Sequence, residues 1–337
     1  MIALHRRLAL RAFGATALAA LLPSVNGCST IAPVKRWQSL LLRDHPLAGK
    51  IWHVAAERFV AFAYLAESVR NAHFRLLGEV HDNADHHVIQ AKLLDFLGAG
   101  GLKPLVAFEQ FDREFDRALL EKQTAGTISA DDVADAVKFD RKGWNWEFYR
   151  PLVEIALRYT MPLRAANLSR TAAVRIAKQG LAALDPARVA ALRLETAWSA
   201  EKEQGLRDTI IDGHCGALPA SMVPAMTAAQ RARDATLAQA LSDGGRDGAV
   251  LITGNGHVRR DLGVPVYLED AADARTICAV GILEVDAESS APRAYVKSAM
   301  AGVPLFDFVC FTPRWQRPDP CAAFKSEPAG RSGETGK

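Results

Sequence analysis

The sequence predicts an α/β protein, with a mostly parallel central sheet flanked by helices and a helical lid inserted before the fourth core strand. Three observations carry that reading. Apolar runs of strand length at residues 74–78, 104–108, 162–166 and 249–253 alternate with helix-period segments, as in parallel strands joined by helices. Each run stops at a polar group: Glu79 and His81, then Glu109, then Asn167, then Asn255 and His257. Between the third and fourth runs, residues 171–241 are Ala-rich and helix-periodic, whereas a parallel crossover needs only about a dozen residues.

Taken in order, the chain opens on a targeting segment. His5, Arg6, Arg7 and Arg11 precede an uncharged apolar run over residues 12–22, the length of a signal-peptide core and short for a bilayer span. Val25-Asn26-Gly27-Cys28 follows, so a signal peptide over residues 1–27 and lipidation at Cys28 are expected, with a plainly cleaved signal as the alternative. Ser29 stands where an Asp would favour inner-membrane retention, which points to the outer membrane, facing the periplasm. A linker over residues 28–43 leads to the α/β domain, residues 44–313. A Pro- and Gly-rich tail over residues 314–337 is expected to be mostly disordered after Cys321.

At 49% hydrophobic and 23% charged, the 337 residues have an ordinary globular composition with ample chain for a core. A net charge of +3 without a long basic run argues against a nucleic-acid groove. Beyond Cys28 the cysteines are Cys215, Cys278, Cys310 and Cys321, an even number in an exported chain. The stiff loop with Pro313, Pro318 and Pro320 suggests a Cys310–Cys321 disulfide. No CxxC occurs, so a thiol-based zinc or redox site is not expected.

Within the domain, residues 49–52 suggest a short hairpin piece, and Val60, Ala63, Tyr64 and Ala66 mark a helix. After the first core strand, Asp82 or Asn83 is placed to cap a helix that begins near Asp85, carries His86 and His87, and ends at Gly98 and Gly100. Further helices are expected over residues 113–122 and 144–159. Residues 264–268 and 276–285 read as fifth and sixth strands, with residues 294–296 and 306–311 joining late at an edge.

In a parallel sheet the carboxyl ends of the strands gather along one edge, where ligands bind. His81 and His257 are therefore expected to be neighbours, although far apart in sequence. Each ends a Gly-x-x-His unit, Gly78 to His81 and Gly254 to His257, and glycine permits a sharp exit from a buried strand. Chemically, Glu79, His81, Glu109 and His257 are a plausible set for a divalent metal with an activated water, and equally a polar rim around something larger. A lone strand-end histidine often only caps a neighbouring carbonyl; two copies in equivalent places strengthen the functional reading.

The ordered motifs resemble one family. Leu77-Gly78-Glu79-Val80-His81-Asp82-Asn83 with His86, His87 and Gln90, then Phe108-Glu109, Trp146 with Tyr149-Arg150-Pro151, His214-Cys215, Gln230 with Arg233-Asp234, and Gly254-Asn255-Gly256-His257-Val258-Arg259 are similar to the ChaN family of iron-regulated, haem-binding bacterial lipoproteins. That family is similar in turn to the wider Tiki, TraB and erythromycin-esterase group. The resemblance implies haem held in a pocket, with pairs of haems stacked face to face between two subunits of a homodimer, and an outer-membrane haem or iron transporter as a partner. It leaves the axial ligand open among His81, His86, His87, His214, His257 and the phenol of Tyr149. His86 and His87 project about 100° apart on a helix and are not expected to share one iron. Tyr64, Tyr149 and Tyr159 also have the plainer reading of packed tyrosines. Met226, one turn from Met222, offers an apolar haem face, although such pairs are usually core. Arg233 and Arg259 suit propionates, since guanidinium binds carboxylate through two parallel hydrogen bonds, unless they are a solvated surface pair.

The expected function is thus a haem-binding envelope lipoprotein of iron acquisition that works by binding. A metal-dependent hydrolase using the Glu/His cluster and a non-catalytic scaffold are the alternatives. No HExxH, Gly-x-Ser-x-Gly or phosphate loop supports the hydrolase.

Overall fold

The computed structural model describes residues 36–269, 276–319 and 321–322. In chain order the elements are β1 (Ile51–His53), β2 (Arg58–Val60), α1 (Phe62–Asn71), β3 (Phe74–Glu79), α2 (Ala84–Ala99), β4 (Leu105–Asp112), α3 (Asp116–Thr124), α4 (Ala130–Ala136), α5 (Trp146–Arg158) and β5 (Leu163–Asn167). They continue with α6 (Arg170–Gln179), α7 (Pro186–Ala191), α8 (Ala200–Gly213), α9 (Val223–Leu241), β6 (Ala249–Gly254), α10 (Val264–Glu269), β7 (Ile277–Glu284) and β8 (Phe308–Thr312).

One eight-stranded sheet runs in the order β2-β1-β8-β7-β3-β6-β4-β5. From β8 to β5 all neighbours are parallel, while β1 pairs antiparallel with β8 and with β2. Every residue of β3 and β6 is buried, as expected for central strands covered on both faces. Alternate residues divide between the two layers. Leu77, Phe108 and Ile252 join the core under α1, α2 and α5, whereas Leu76, Ala107 and Leu251 join the one under α9 and α10. Arg75 is tolerated in β3 because its guanidinium donates to the carbonyls of Val69 and Arg70 at the end of α1 and of Asp247.

The helical stretch between β5 and β6 divides in two. α9 lies on the sheet against β4, β5 and β6 and is the crossover helix, while α8 packs outside α9 and forms the lid. Leu206 and Ile210 of α8 meet Leu262 and Met226 in a small apolar cluster that seats the lid.

Three local expectations are corrected. Residues 264–268 form α10 and not a strand: Gly263 turns the chain so tightly that a Cβ there would lie 2.4 Å from the His257 carbonyl, and Pro265 sits in a first helical turn, where it costs no hydrogen bond. With both of its sides buried, this short apolar run shows no helical period in the sequence. Residues 294 and 295 belong to a 3-10 turn, Pro292–Tyr295, with Val296 just past its end, and the Tyr295 hydroxyl anchors it by donating to the Ser289 carbonyl. β8 is not an edge strand but lies between β1 and β7.

The disulfide also differs. Cys215, just after α8, is bonded to Cys321, whereas Cys310 is fully buried in β8, reduced, between Ile51 of β1 and Ile282 of β7. A thiol enclosed by two neighbouring strands has no route to the tail. The tail is instead carried past the sheet edge by Arg317, which pairs with Asp82 and Glu284, and reaches the lid. The expected signal peptide, Cys28 and most of the tail lie outside the described residues, but residues 38 and 39 already pack, their N–H groups donating to the Asp85 carboxylate. No helix among the described residues is long and apolar enough to cross a membrane.

Candidate functional site

The order β3-β6-β4 places Glu79, Gly254 and Glu109 side by side at the carboxyl edge of the sheet. Gly78 is required there: a Cβ would lie 2.3 Å from the Asn255 side chain, which bridges to the backbone N–H and C=O of Ile282 in β7. A register irregularity between Phe108 and Asp112 in β4 lets the strand end bend and presents both Glu109 and Gln110 to the site.

Glu79 is the hub. Its side chain is wholly buried, and Oε1 accepts from His81 Nδ1 (2.9 Å), Gln110 Nε2 (3.1 Å) and the Tyr149 hydroxyl (2.7 Å). His87 Nδ1 lies 3.3 Å from Oε2, a charge contact whose geometry falls short of a hydrogen bond. Burial alone would raise the Glu79 pKa, but His87 and His81 hold it below the usual carboxylate range. Because Glu79 takes the Nδ1 proton of His81, the other nitrogen, Nε2, points the opposite way. It lies over Gly254, where a Cβ would approach it to 3.0 Å. The His81 side chain is 43% exposed and is braced edge-on by Trp144.

The second histidine behaves differently. His257 Nδ1 donates to Asp234 Oδ1 at 2.5 Å, and Nε2 lies 3.3 Å from Glu109 Oε1. Burial lowers its pKa, but Glu109 and Asp234 more than offset this and raise it to about 10, so an imidazolium sits between two carboxylates. Glu109, buried too, is held well below its usual range by His257, and its Oε2 accepts from Thr253 Oγ1 and the Gly254 N–H. Burial keeps Asp234 above its ordinary value even so.

A cleft of about 460 Å³ opens above these groups, with Leu206, Ile210 and Leu262 of the lid side as apolar walls and His81, His214 and His257 on its surface. Not every expected site residue reaches it. His86 is a buried strap: Nδ1 accepts from the Val80 N–H, Nε2 donates to Thr312 Oγ1, and burial drives its pKa well down, so neither nitrogen is left for iron. His87, also buried, donates Nε2–H to the His81 carbonyl and stacks on Phe148. Tyr149 is fully buried, and its phenol is kept protonated by burial and by Glu79, which corrects the phenolate expectation and leaves the packed-tyrosine one. Met226 belongs to the lid's apolar cluster. Arg259 lines the cleft but already holds Asp261 through two parallel bonds and Thr209 of α8 through a third, so it ties the lid down. Arg233 and Asn167 face a different cavity. His214, whose Nδ1 donates to the Ile210 carbonyl, sits on the lid side of the cleft.

The four-residue metal set is corrected as well. Glu79, His81, Glu109 and His257 do come together, but Glu79 Oε1 and both Glu109 oxygens face protein partners, and no group of three or more His, Cys, Asp or Glu among the described residues is arranged to hold a metal ion. Sequence reasoning gave no role to Gln110, Thr253 or Asp234; the four-residue step from Gln230 to Asp234, both facing His257, was the available sign.

A mostly parallel sheet whose central strand ends hold a Glu/His network under a helical lid defines an α/β protein with a lidded strand-end site. The chain belongs to the haem-binding uptake family of the Tiki superfamily, ChaN, whose family model matches residues 65–268. A solved structure described as cofacial heme binding to ChaN of Campylobacter jejuni is 20% identical and covers 77% of this chain and 95% of that one, with a TM-score of 0.59, so the two share a fold. The type III effector HopBA1 (11% identity, 74% and 91% of the two chains, TM-score 0.39) and a succinoglycan biosynthesis protein (11%, 66% and 68%, TM-score 0.35) align more loosely. No curated protein matches the sequence.

Proposed function

We propose that this protein binds haem as an envelope lipoprotein of iron or haem acquisition, with His81 as the axial ligand. One observation carries this: His81 is the imidazole that is half exposed, fixed in tautomer by a buried carboxylate, and directed by its second nitrogen into the cleft. An imidazole oriented by a carboxylate at Nδ1 is the usual arrangement of a metal-ligating histidine. Bound haem would offer an iron that takes an imidazole ligand and a broad apolar face, and the donor set fits it: the His81 imidazole, whose pKa burial lowers but Glu79 and Glu109 raise on balance, so that ligation would displace a proton, beside the leucine and isoleucine walls of the lid.

The exposure of His81 makes the cleft open on one side, so a flat ligand seated there keeps a face outside. A second copy of the chain covers that face in this reading, in line with the cofacial heme binding described for the Campylobacter protein. Anchoring at the outer membrane through Cys28, and delivery to or from an outer-membrane transporter, complete the proposal. They rest on the apolar run over residues 12–22 and on Gly27-Cys28.

Haem titrated into the purified protein is expected to give a saturable Soret change and a shift from monomer to dimer in sedimentation. The absence of a saturable change in correctly folded protein would sink the haem reading. Mass spectrometry of the mature protein is expected to find a diacylated Cys28 at the N-terminus; an unmodified N-terminus at any other residue removes the anchor.

A further inference from the structure

Trp144, which braces His81, also lines a second cavity, of about 310 Å³. Its lining includes Gln110 and Asn167, each only 5% exposed. Gln110 donates Nε2–H to Glu79, which fixes its Oε1 on the opposite side, and that oxygen is buried without a hydrogen-bond partner. Asn167 Oδ1 is in the same condition. A buried polar atom left unpaired costs about 1–3 kcal/mol, so two in one cavity call for a partner that donates.

Lys138, Arg170 and Arg233 also line the cavity. Lys138 rests over the Phe115 ring, and no ion pair within 4.0 Å ties any of the three to a carboxylate among the described residues. Asp112 and Asp140 line it too, so the cations exceed the carboxylates by one. A ligand that satisfies both features must carry an anionic group for the arginines and an O–H for the orphaned amide oxygens. A haem propionate has only acceptors and answers half of this.

We propose that this cavity binds a small hydroxylated anion, its carboxylate or phosphate held by Arg170 and Arg233 and its hydroxyl donating to Gln110 Oε1 or Asn167 Oδ1. Two of its lining residues touch residues of the cleft, since Gln110 also holds Glu79 and Trp144 also braces His81. Occupancy is therefore felt at the cleft.

Calorimetric titration of the haem-free protein tests this with citrate and glycerol phosphate, each against its counterpart lacking the hydroxyl, tricarballylate and propyl phosphate. One hydroxylated anion is expected to bind saturably and about tenfold more tightly than its counterpart, and which one binds names the anionic group. Arg170→Gln, an exposed position at the start of α6, is expected to weaken binding about tenfold, and Asn167→Leu to erase the preference for the hydroxyl. No saturable binding at millimolar concentration, equal binding of the counterparts, or indifference to Arg170→Gln overturns the proposal. So does a loss of haem affinity in Arg170→Gln, which would make the arginines propionate contacts. Because the calorimetry is read without haem, failure of the haem reading leaves this result standing.

Discussion

At the scale of single residues, the same side chain serves opposite ends depending on its partners. His86 and His87 are adjacent on α2, yet both are structural, because the capping of the helix by Asn83 turns its first turn inward under β3 and β8. His86→Ala leaves the part-buried Val80 N–H without its acceptor and takes the donor from the Thr312 hydroxyl, which keeps only its long bond to the Leu283 carbonyl. At about 1–3 kcal/mol for an unsatisfied group, urea denaturation is expected to show a loss of roughly 1–3 kcal/mol. An unchanged midpoint would mean that the strap is not needed. His257 gives a pH dependence. Its pKa rises from 6.5 unfolded to about 10 folded, so its contribution to stability is complete below 6.5 and is lost as pH climbs toward 10. Glu109, whose pKa is depressed, contributes above its ordinary 4.5 and loses that contribution as pH falls. His257→Gln is expected to flatten the alkaline limb of a stability profile, and a limb as steep as that of wild type would contradict the pairing. The strand-end positions of Glu79, His81, Glu109 and His257 were legible because a buried apolar run ending in a polar residue fixes that residue at the sheet edge. That His257 has no free nitrogen was not legible, since that depends on Asp234, arriving from a helix 23 residues away in sequence from His257.

At the scale of elements, the strands with long apolar runs and the helices with clear caps were legible, and the short late pieces were not. Residues 264–268 have strand composition but obey Gly263 and Pro265, and they pack against α9, which no local pattern records. The cysteine pairing failed for the same reason. Proximity in sequence favoured Cys310, but β8 is enclosed by β1 and β7, and the tail crosses to the lid. The Cys215–Cys321 bond closes a separation of 106 residues, and in the chain-entropy treatment a loop of about that length contributes roughly 4–5 kcal/mol. Cys321→Ser is expected to lower the thermal midpoint and to loosen α8, seen as faster hydrogen exchange in residues 200–213. Peptide mapping of the oxidised protein should recover Cys215 joined to Cys321, and a Cys310–Cys321 peptide would contradict the structure.

At the scale of the whole molecule, the sheet gathers two Gly-x-x-His units from distant parts of the chain and gives them different roles. One histidine is locked between carboxylates as part of the framework; the other is aimed outward. The lid closes one side of the cleft and leaves the other open, which suits a binding protein that must load and release a flat ligand. The most direct measurement is the visible spectrum during haem titration of wild type, His81→Ala, His214→Ala and Tyr149→Phe, each checked for native circular dichroism. The account predicts a saturable Soret shift in wild type and in Tyr149→Phe, at most a modest change in His214→Ala, and loss of the shift in His81→Ala. A wild-type spectrum in folded His81→Ala would contradict it.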